Sequence, residues 1–208
     1  EATEDIQKLG GMEALGAPYF KISFREMIRK RAGWLITLFI GEMFTATAMA
    51  AYEDSVQKAV VLSLFLPLII SSGGNSGSQA STLIIRSLAL REIRLRDWLR
   101  VLFRESASGL VLGSCLGIIG LVRILAWQAW TPIYGEHYVL IAYTVAISLI
   151  GVTLWGTLAG AMLPFILRRF GFDPASASAP LVATLVDVTG LVIYFSVAST
   201  ILHGTLLP

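Results

Sequence analysis

The sequence predicts an all-α integral membrane protein with five transmembrane helices. Hydrophobic residues make up 55% of its 208 residues, charged residues make up only 14%, and the mean hydropathy is +0.73. A soluble domain of this size would not stay in solution with that composition. Backbone groups in lipid must be paired internally, and the alternating pattern of a membrane barrel is missing, so the apolar runs are predicted to be helices.

Five apolar runs define the spans, because each approaches the roughly 20 residues that cross a bilayer as a helix. They are residues 34–52, 59–85, 106–122, 138–167 and 180–202. The third run reaches full length only with its flanking residues. Glu42 is the one acid of the first run. It is expected either to handle ions, as a second site or as an inward-facing acid near the vestibule, or to hydrogen-bond within the bundle or reach towards an interface. Pro67 and Pro164 fall inside the second and fourth runs, where a proline is expected to bend the helix.

Residues 1–31 differ from the spans and form a region of their own ahead of a membrane domain at residues 32–208. Four apolar residues recur there near helical spacing before Gly16 and Pro18 end the pattern: Ile6, Leu9, Met12 and Leu15. Residues 20–31 mix apolar and basic side chains, which is typical of an amphipathic helix at a membrane surface. We therefore predict two short helices before the first span. A disordered linker is the alternative for the first ten residues.

The basic residues predict how the chain is oriented in the membrane. Of the 16 Lys and Arg residues, all but Lys58 and Arg123 fall before the first span, after the second or after the fourth. These three positions lie on the same side of a five-helix bundle, and basic residues accumulate on the cytoplasmic side. The N-terminus is therefore predicted to be cytoplasmic and the C-terminus external.

Asp187 is the only ionised side chain between Asp173 and the C-terminus, and it lies in the middle of the fifth apolar run. A lone carboxylate near the centre of a bilayer costs about 2.5–3.5 kcal/mol on insertion scales. A group placed there at that cost needs a partner. A cation is the natural one.

Two polar stripes follow from the helical spacing of the second and fifth runs. On the second run, four polar residues lie at i, i+4, i+7 and i+11: Ser71, Asn75, Ser78 and Thr82. On the fifth run, four residues share that spacing: Ala183, Asp187, Gly190 and Tyr194. Two such stripes facing each other would enclose a water-filled path. The alternative for the second run is helix packing alone, because Gly73 and Gly77 form a GxxxG pair.

Residues 67–88 (PLIISSGGNSGSQASTLIIRSL) and 180–197 (PLVATLVDVTGLVIYFSV) resemble the membrane-domain signatures of the MgtE family of magnesium channels. Shorter matches at residues 1–9, 96–100 and 160–169 occur in the expected order, so the resemblance covers essentially the whole chain. It implies a homodimer with five membrane helices in each subunit. It also implies an ion path along the two-fold axis.

The resemblance assigns roles to particular residues of this chain. Asp187 matches the pore aspartate that holds a hydrated magnesium ion, one from each subunit. Ala183 matches a position whose main chain lines the filter, Ser78 and Thr82 match polar filter positions, and Asn75 lies in the same signature. Ser78 and Ala179 stand where some members have Asn, which removes an amide at each position.

These assignments agree with the chemistry of magnesium. The ion prefers six oxygen ligands at about 2.0–2.1 Å and gives up water reluctantly, so paired carboxylates around a hydrated ion suit it better than a dry cage. We therefore expect a pore that passes hydrated divalent cations down their gradient into the cytoplasm, with magnesium as the transported ion. Animal relatives are thought to exchange magnesium for sodium, so cation-coupled exchange is the alternative.

The resemblance also implies cytosolic regulatory domains upstream, with residues 1 to about 16 as the end of a connecting (plug) helix. The chain starts at Glu1 without a signal-peptide pattern, and we expect it to be a fragment from which those domains are absent. The expected location is the cell inner (plasma) membrane, as a multi-pass protein.

Several other functions are disfavoured by what the sequence contains. Cys115 is the single cysteine, which excludes a disulfide framework. His137 and His203 are isolated, with no metal-ligand spacing and no nucleophile near them in sequence, so an intramembrane hydrolase is disfavoured and we expect no enzyme activity. The arginines that follow the second span are typical of orientation and of binding to anionic lipid heads, and nucleic acid is not an expected partner.

Overall fold

The computed structural model describes residues 2–16, 18–58 and 60–207, and helices make up all of its regular structure within those ranges. The helices are α1 (Ala2–Leu9), α2 (Phe24–Ala51), α3 (Glu53–Lys58), α4 (Val60–Ser63), α5 (Leu66–Ala89), α6 (Trp98–Trp130), α7 (Tyr138–Arg169) and α8 (Ala179–Ile201). Single turns of 3-10 helix at Leu95–Asp97 and Pro174–Ser176 precede α6 and α8.

Five of these segments are long and apolar enough to cross a membrane, which confirms the predicted all-α membrane class. They are Phe24–Ala51, Val60–Ala89, Leu95–Trp130, Tyr138–Arg169 and Ala179–Ile201. The third is much longer than its uncharged stretch. At 1.5 Å per residue, the 33 residues of α6 extend about 50 Å, and Arg104 and Arg123 are separated by about 28 Å, so they can lie at the two edges of a hydrocarbon core of about 30 Å.

The predicted separate helix at residues 20–31 is wrong, because the first span begins at Phe24 and continues unbroken to Ala51. The Ser23 hydroxyl accepts a hydrogen bond from the Glu26 N–H and caps this helix. Arg, Lys and Glu are good helix formers, so nothing between the cap and the apolar run stops the helix. In α1 the helix ends at Leu9, because Gly10 and Gly11 follow and Gly11 adopts φ of +71°.

Helix α7 lies at the centre of the bundle and packs against α5, α6 and α8. Glycines set these contacts. On α6, a Cβ added at Gly113 would lie 2.9 Å from the backbone of Ile150. On α7, a Cβ added at Gly156 would collide with the carbonyl oxygen of Gly73, and Gly160 meets Gly77 in the same way. Small residues therefore allow α5 and α7 to touch backbone to backbone.

Pro67 does not bend the second span; it begins a helix there. Helix α4 ends at Ser63, α5 begins at Leu66, and Pro67 lies in the first turn of α5, where its missing N–H costs nothing. The buried Tyr194 of α8 donates its hydroxyl proton to the Leu62 carbonyl oxygen over 2.8 Å at this break. The same carbonyl oxygen also accepts from the Phe65 N–H over 3.2 Å, so the tyrosine adds a second hydrogen bond to the backbone at this break.

Candidate functional site

A groove of about 460 Å³ lies between α5 and α8 and brings four of the five predicted site residues together. Asn75 and Ser78 lie on its α5 wall, and Ala183 and Asp187 lie on its α8 wall. The fifth, Thr82, is outside this groove. It lies one turn further along α5, in a neighbouring recess of about 480 Å³ that shares Ser78.

Asp187 faces a gap in the side chains of α5. A Cβ added at Gly74 would lie 3.9 Å from Asp187 Oδ1 and 3.6 Å from both the Cα and the Cβ of Ala183. The missing side chain of Gly74 therefore leaves space directly beside the carboxylate. Sequence reasoning missed Gly74, because Gly73 and Gly77 accounted for the glycines as helix contacts. The sequence signal was that Gly73 is followed directly by a second glycine. Helix packing explains Gly73, as part of the GxxxG pair, but does not explain Gly74.

The hydroxyls along the α5 stripe already have hydrogen bonds. Ser78 donates from its hydroxyl to the Ala179 carbonyl oxygen over 3.1 Å, which joins α5 to the first turn of α8. Thr82 donates to the Ser78 carbonyl oxygen over 2.8 Å. Each hydroxyl oxygen keeps lone pairs that can accept from a water molecule. These residues can therefore contact the water shell of an ion while they hold the two helices together.

Asn75 is exposed in the groove, and its amide Nδ2 donates to the Ser71 hydroxyl over a long 3.4 Å. Within the residues that the structure describes, no hydrogen bond uses its amide oxygen. The amide thus supplies an oxygen acceptor on the wall that faces Asp187.

Two members of the predicted α8 stripe do not line the groove. Gly190 and Tyr194 are buried. A Cβ added at Gly190 would lie 3.0 Å from a Val152 methyl group, so this glycine faces α7. Tyr194 is 0% exposed, and its hydroxyl donates a hydrogen bond to the Leu62 carbonyl oxygen of α4. Helical spacing placed all four residues near one face, but the groove spans only the first half of that face.

Glu42 of α2 approaches Asp187 closely enough for the two carboxyl groups to interact by charge. Helix α2 reaches α8 at Gly41, where an added Cβ would lie 2.9 Å from the Thr184 side chain. This contact places Glu42 beside Asp187, one turn further along α8. Whether Glu42 handles an ion or has a role in packing the bundle, Asp187 is therefore the residue through which it would act.

The described residues contain no group of three or more His, Cys, Asp or Glu side chains that could enclose a metal ion. The groove instead offers the Asp187 carboxyl group with an amide oxygen and hydroxyl oxygens around it. This ligand set is all oxygen, which suits a hard divalent cation and not a thiophilic metal.

The fold and groove define a helical membrane protein, with five helices long and apolar enough to cross a membrane and a carboxylate in an oxygen-lined groove between two of them. Residues 66–197 match the family model MgtE, described as a divalent cation transporter, and the chain belongs to that family. The chain is therefore a multi-pass membrane protein, as predicted, and its bacterial relatives imply the plasma membrane.

The chain is similar to proteins named "Magnesium transporter MgtE" in three bacteria. It is 40% identical over 204 residues to that of Thermus thermophilus, which covers 98% of this chain and 43% of the relative. It is 33% identical over 170 residues to that of Enterococcus faecalis (82% and 36%) and 33% identical over 176 residues to that of Bacillus subtilis (84% and 37%). The chain thus spans less than half the length of the curated relatives it matches.

Proposed function

We propose that this chain forms the magnesium-conducting part of its protein, and that hydrated Mg²⁺ passes along the groove between α5 and α8. The observation that carries the proposal is the position of Asp187. This residue lies in the apolar helix α8 and faces the space that the missing side chain of Gly74 leaves on α5. A carboxylate with space and oxygen acceptors beside it can hold an ion together with its water.

The exposure of the groove supports a homodimer. Ser71, Asn75 and Thr82 are exposed on the outer face of the single chain, although they belong to a membrane span. Polar side chains at membrane depth face a protein interior or water and not lipid. A second copy packed over this face by a two-fold axis would close the groove into a path and bring the two Asp187 residues towards each other.

Such a pair would favour a divalent ion. Two carboxylates repel each other when the path is empty, and one Mg²⁺ neutralises both, whereas one monovalent ion neutralises only half their charge. Amide, hydroxyl and carbonyl oxygens at Asn75, Ser78 and Ala183 then accept from the ion's water shell. Selectivity arises from the spacing of these groups as well as from the charge.

Magnesium flux into proteoliposomes tests the proposal. Asp187→Asn keeps the side-chain size and removes the charge, so we expect flux to fall to the level of empty liposomes while the protein elutes at its normal size. Asp54→Asn removes an exposed carboxylate on α3 and should retain full flux. Normal magnesium flux through folded Asp187→Asn protein would disprove the role of Asp187.

The same assay separates passive conduction from cation-coupled exchange. A channel conducts magnesium along its own gradient whatever the sodium gradient, and we expect this result. Flux that reverses when only the sodium gradient is reversed would establish exchange in its place.

A further inference from the structure

A second groove, of about 490 Å³, lies away from the Asp187 site, between the start of α6 and the end of α7. Its lining includes Leu95, Trp98, Leu102, Met162, Phe165 and Arg169. The lining is apolar apart from the indole N–H and one guanidinium. Its volume is within the range of pockets that bury a small organic ligand.

The floor of this groove is part of the folded core. Phe165 is only 5% exposed and packs in a cluster with Ala161 of α7 and Val101 of α6. The rim is open, since Trp98 is 47% exposed and Leu95 is 40% exposed. A rigid apolar floor with an open rim can receive a flexible hydrocarbon chain without rearrangement.

Arg169 supplies a positive charge that the protein does not neutralise. Among the described residues, its guanidinium has neither a hydrogen bond nor an ion pair. The neighbouring Arg168 differs, because it donates to the Leu88 carbonyl oxygen over 3.3 Å and so fixes the end of α5. Three further arginines are exposed near Leu95 and Trp98 in sequence: Arg94, Arg96 and Arg100. Asp97, the acid among them, accepts from the Arg94 backbone N–H.

The groove lies where two membrane spans meet the arginine-rich connection, which is the depth of the lipid head groups. Tryptophan is enriched at that depth, and basic pockets between membrane helices bind anionic lipid heads there. A guanidinium binds a phosphate through two parallel hydrogen bonds. The chemistry of the groove therefore matches both ends of one molecule, an acyl chain on the apolar lining and a phosphate on Arg169.

We propose that this groove is a binding site for an anionic phospholipid. The lipid's phosphate pairs with Arg169, the surrounding arginines favour a net negative head group over a zwitterionic one, and an acyl chain lies along Leu102, Met162 and Phe165. This site is separate from the Asp187 groove and does not depend on magnesium transport.

Native mass spectrometry of the purified chain, mixed with equal amounts of phosphatidylglycerol and phosphatidylcholine, tests the proposal. We expect the unmodified chain to retain phosphatidylglycerol at least fivefold over phosphatidylcholine. Arg169→Gln should abolish this preference, because the unpaired charge is lost. Leu95→Glu, at an exposed wall position, should also abolish it, because a carboxylate then competes for Arg169. The matched control is Arg29→Gln, an exposed arginine of α2, which should retain the preference.

Three results would overturn the proposal. Equal retention of the two lipids by the unmodified chain would show simple apolar contact. An equal loss in Arg29→Gln and Arg169→Gln would show a general basic attraction. Thermal stabilisation of the unmodified chain by soluble glycerol phosphate as strong as that by phosphatidylglycerol would show a phosphate site without an acyl groove. This last measurement uses no variant, so it decides the matter even where a substitution impairs folding.

Discussion

Gly74 leaves the space beside the Asp187 carboxylate open. Helices α5 and α8 are so close there that one added methyl group would fill part of that space. A Cβ at position 74 would make ordinary van der Waals contacts of 3.6 Å with Ala183 and 3.9 Å with Asp187 Oδ1. The fold can therefore accept the methyl group, but the ion and its water would lose that volume.

We accordingly expect Gly74→Ala to fold normally and to reduce magnesium flux several-fold in proteoliposomes. The control is Gly33→Ala on α2, where an added Cβ meets nothing within 4 Å and alanine is about 0.5–1 kcal/mol better than glycine in a helix. Gly33→Ala should conduct normally. Equal conduction by the two variants would show that the ion does not pass beside Gly74.

Glu42 provides a second test at the residue scale, because its carboxyl group interacts with that of Asp187. Glu42→Gln keeps the shape and removes a negative charge from the site. We expect the magnesium concentration for half-maximal flux to rise about threefold to tenfold, equivalent to no more than about 1.4 kcal/mol. Glu136→Gln, in the exposed loop before α7, should leave that concentration unchanged. A Glu42→Gln titration that overlays the unmodified one would assign Glu42 a packing role only.

The sequence identified Asp187 because a lone acid in an apolar run is conspicuous. It could not exclude Tyr194 from the groove, since helical spacing places the Cα atoms of the two residues near one face. Tyr194 is instead buried, and its hydroxyl donates to the Leu62 carbonyl oxygen beside the break between α4 and α5. Spacing within one helix carries no information about a break in another.

At the scale of the helices, the contact between α5 and α7 depends on glycines that face each other. A Cβ at Gly77 would lie 2.7 Å from the Gly156 carbonyl oxygen, and the backbone of α7 cannot move away as a side chain would. Overpacking of this kind costs about 1–3 kcal/mol. The predicted GxxxG packing and the predicted polar stripe are thus two faces of the same helix, and both are present.

We therefore expect Gly77→Ala to lower the melting temperature of the detergent-solubilised protein by several degrees. Gly74→Ala, one turn away on the same helix, should leave it nearly unchanged. Thermal unfolding followed by circular dichroism compares the two. An unchanged melting temperature for Gly77→Ala would show that α5 and α7 separate without cost.

Boundaries between helices were the weakest part of the sequence prediction. Amphipathic character at residues 20–31 indicated a surface helix, yet the same residues are good helix formers and simply extend the span that follows. Propensity and capping at Ser23 determined where the helix starts, whereas hydropathy determined only which part of it is apolar.

At the scale of the whole molecule, one ion-pair cluster fastens the first helix to the last. Lys8 of α1 lies 2.7 Å from Asp173, in the turn that leads into α8, and 2.8 Å from Glu4. The hydrogen bonds that the Lys8 ammonium donates to Asp173 and Glu4 raise the pKa of Lys8. Partial burial acts to raise the pKa of Asp173, but the bonds from Lys8 and the Ala175 amide lower it overall.

These shifts predict how docking of α1 depends on pH. The Asp173 contribution is present above its ordinary pKa of about 3.9 and is lost as the pH falls through its lower folded value. The Lys8 contribution is present below about 10.4 and is lost only at higher pH. Hydrogen exchange of α1, corrected for intrinsic rates, should therefore be constant from about pH 5 to 9.

Asp173→Asn should raise that exchange by no more than a few-fold at neutral pH, because a partly exposed ion pair contributes up to about 1 kcal/mol. Asp54→Asn is the matched control and should not change it. Exchange of α1 that rises steeply between pH 6 and 8 would mean that other groups hold the helix.

The five-span architecture was predictable as a whole, since hydropathy and span length are properties of single segments. The central position of α7 was not, because the hydropathy of single segments does not indicate which spans approach each other closely. The groove was predicted by combining two observations. One is the lone charge of Asp187 on the fifth span, and the other is the polar face of the second span.

Helix α2 has no buried residue, and its principal partner in the bundle is α8, which is made after the other four spans described here. At 5–20 residues per second, roughly 6–26 s of translation separate the synthesis of Ala51 from that of Ala179. During biosynthesis α2 is therefore in the bilayer for that time without its contact to α8. Glu42 therefore meets Asp187 only after α8 has been inserted, and a chain that stalls before α8 would leave the Glu42 carboxyl group in the membrane without that neighbour.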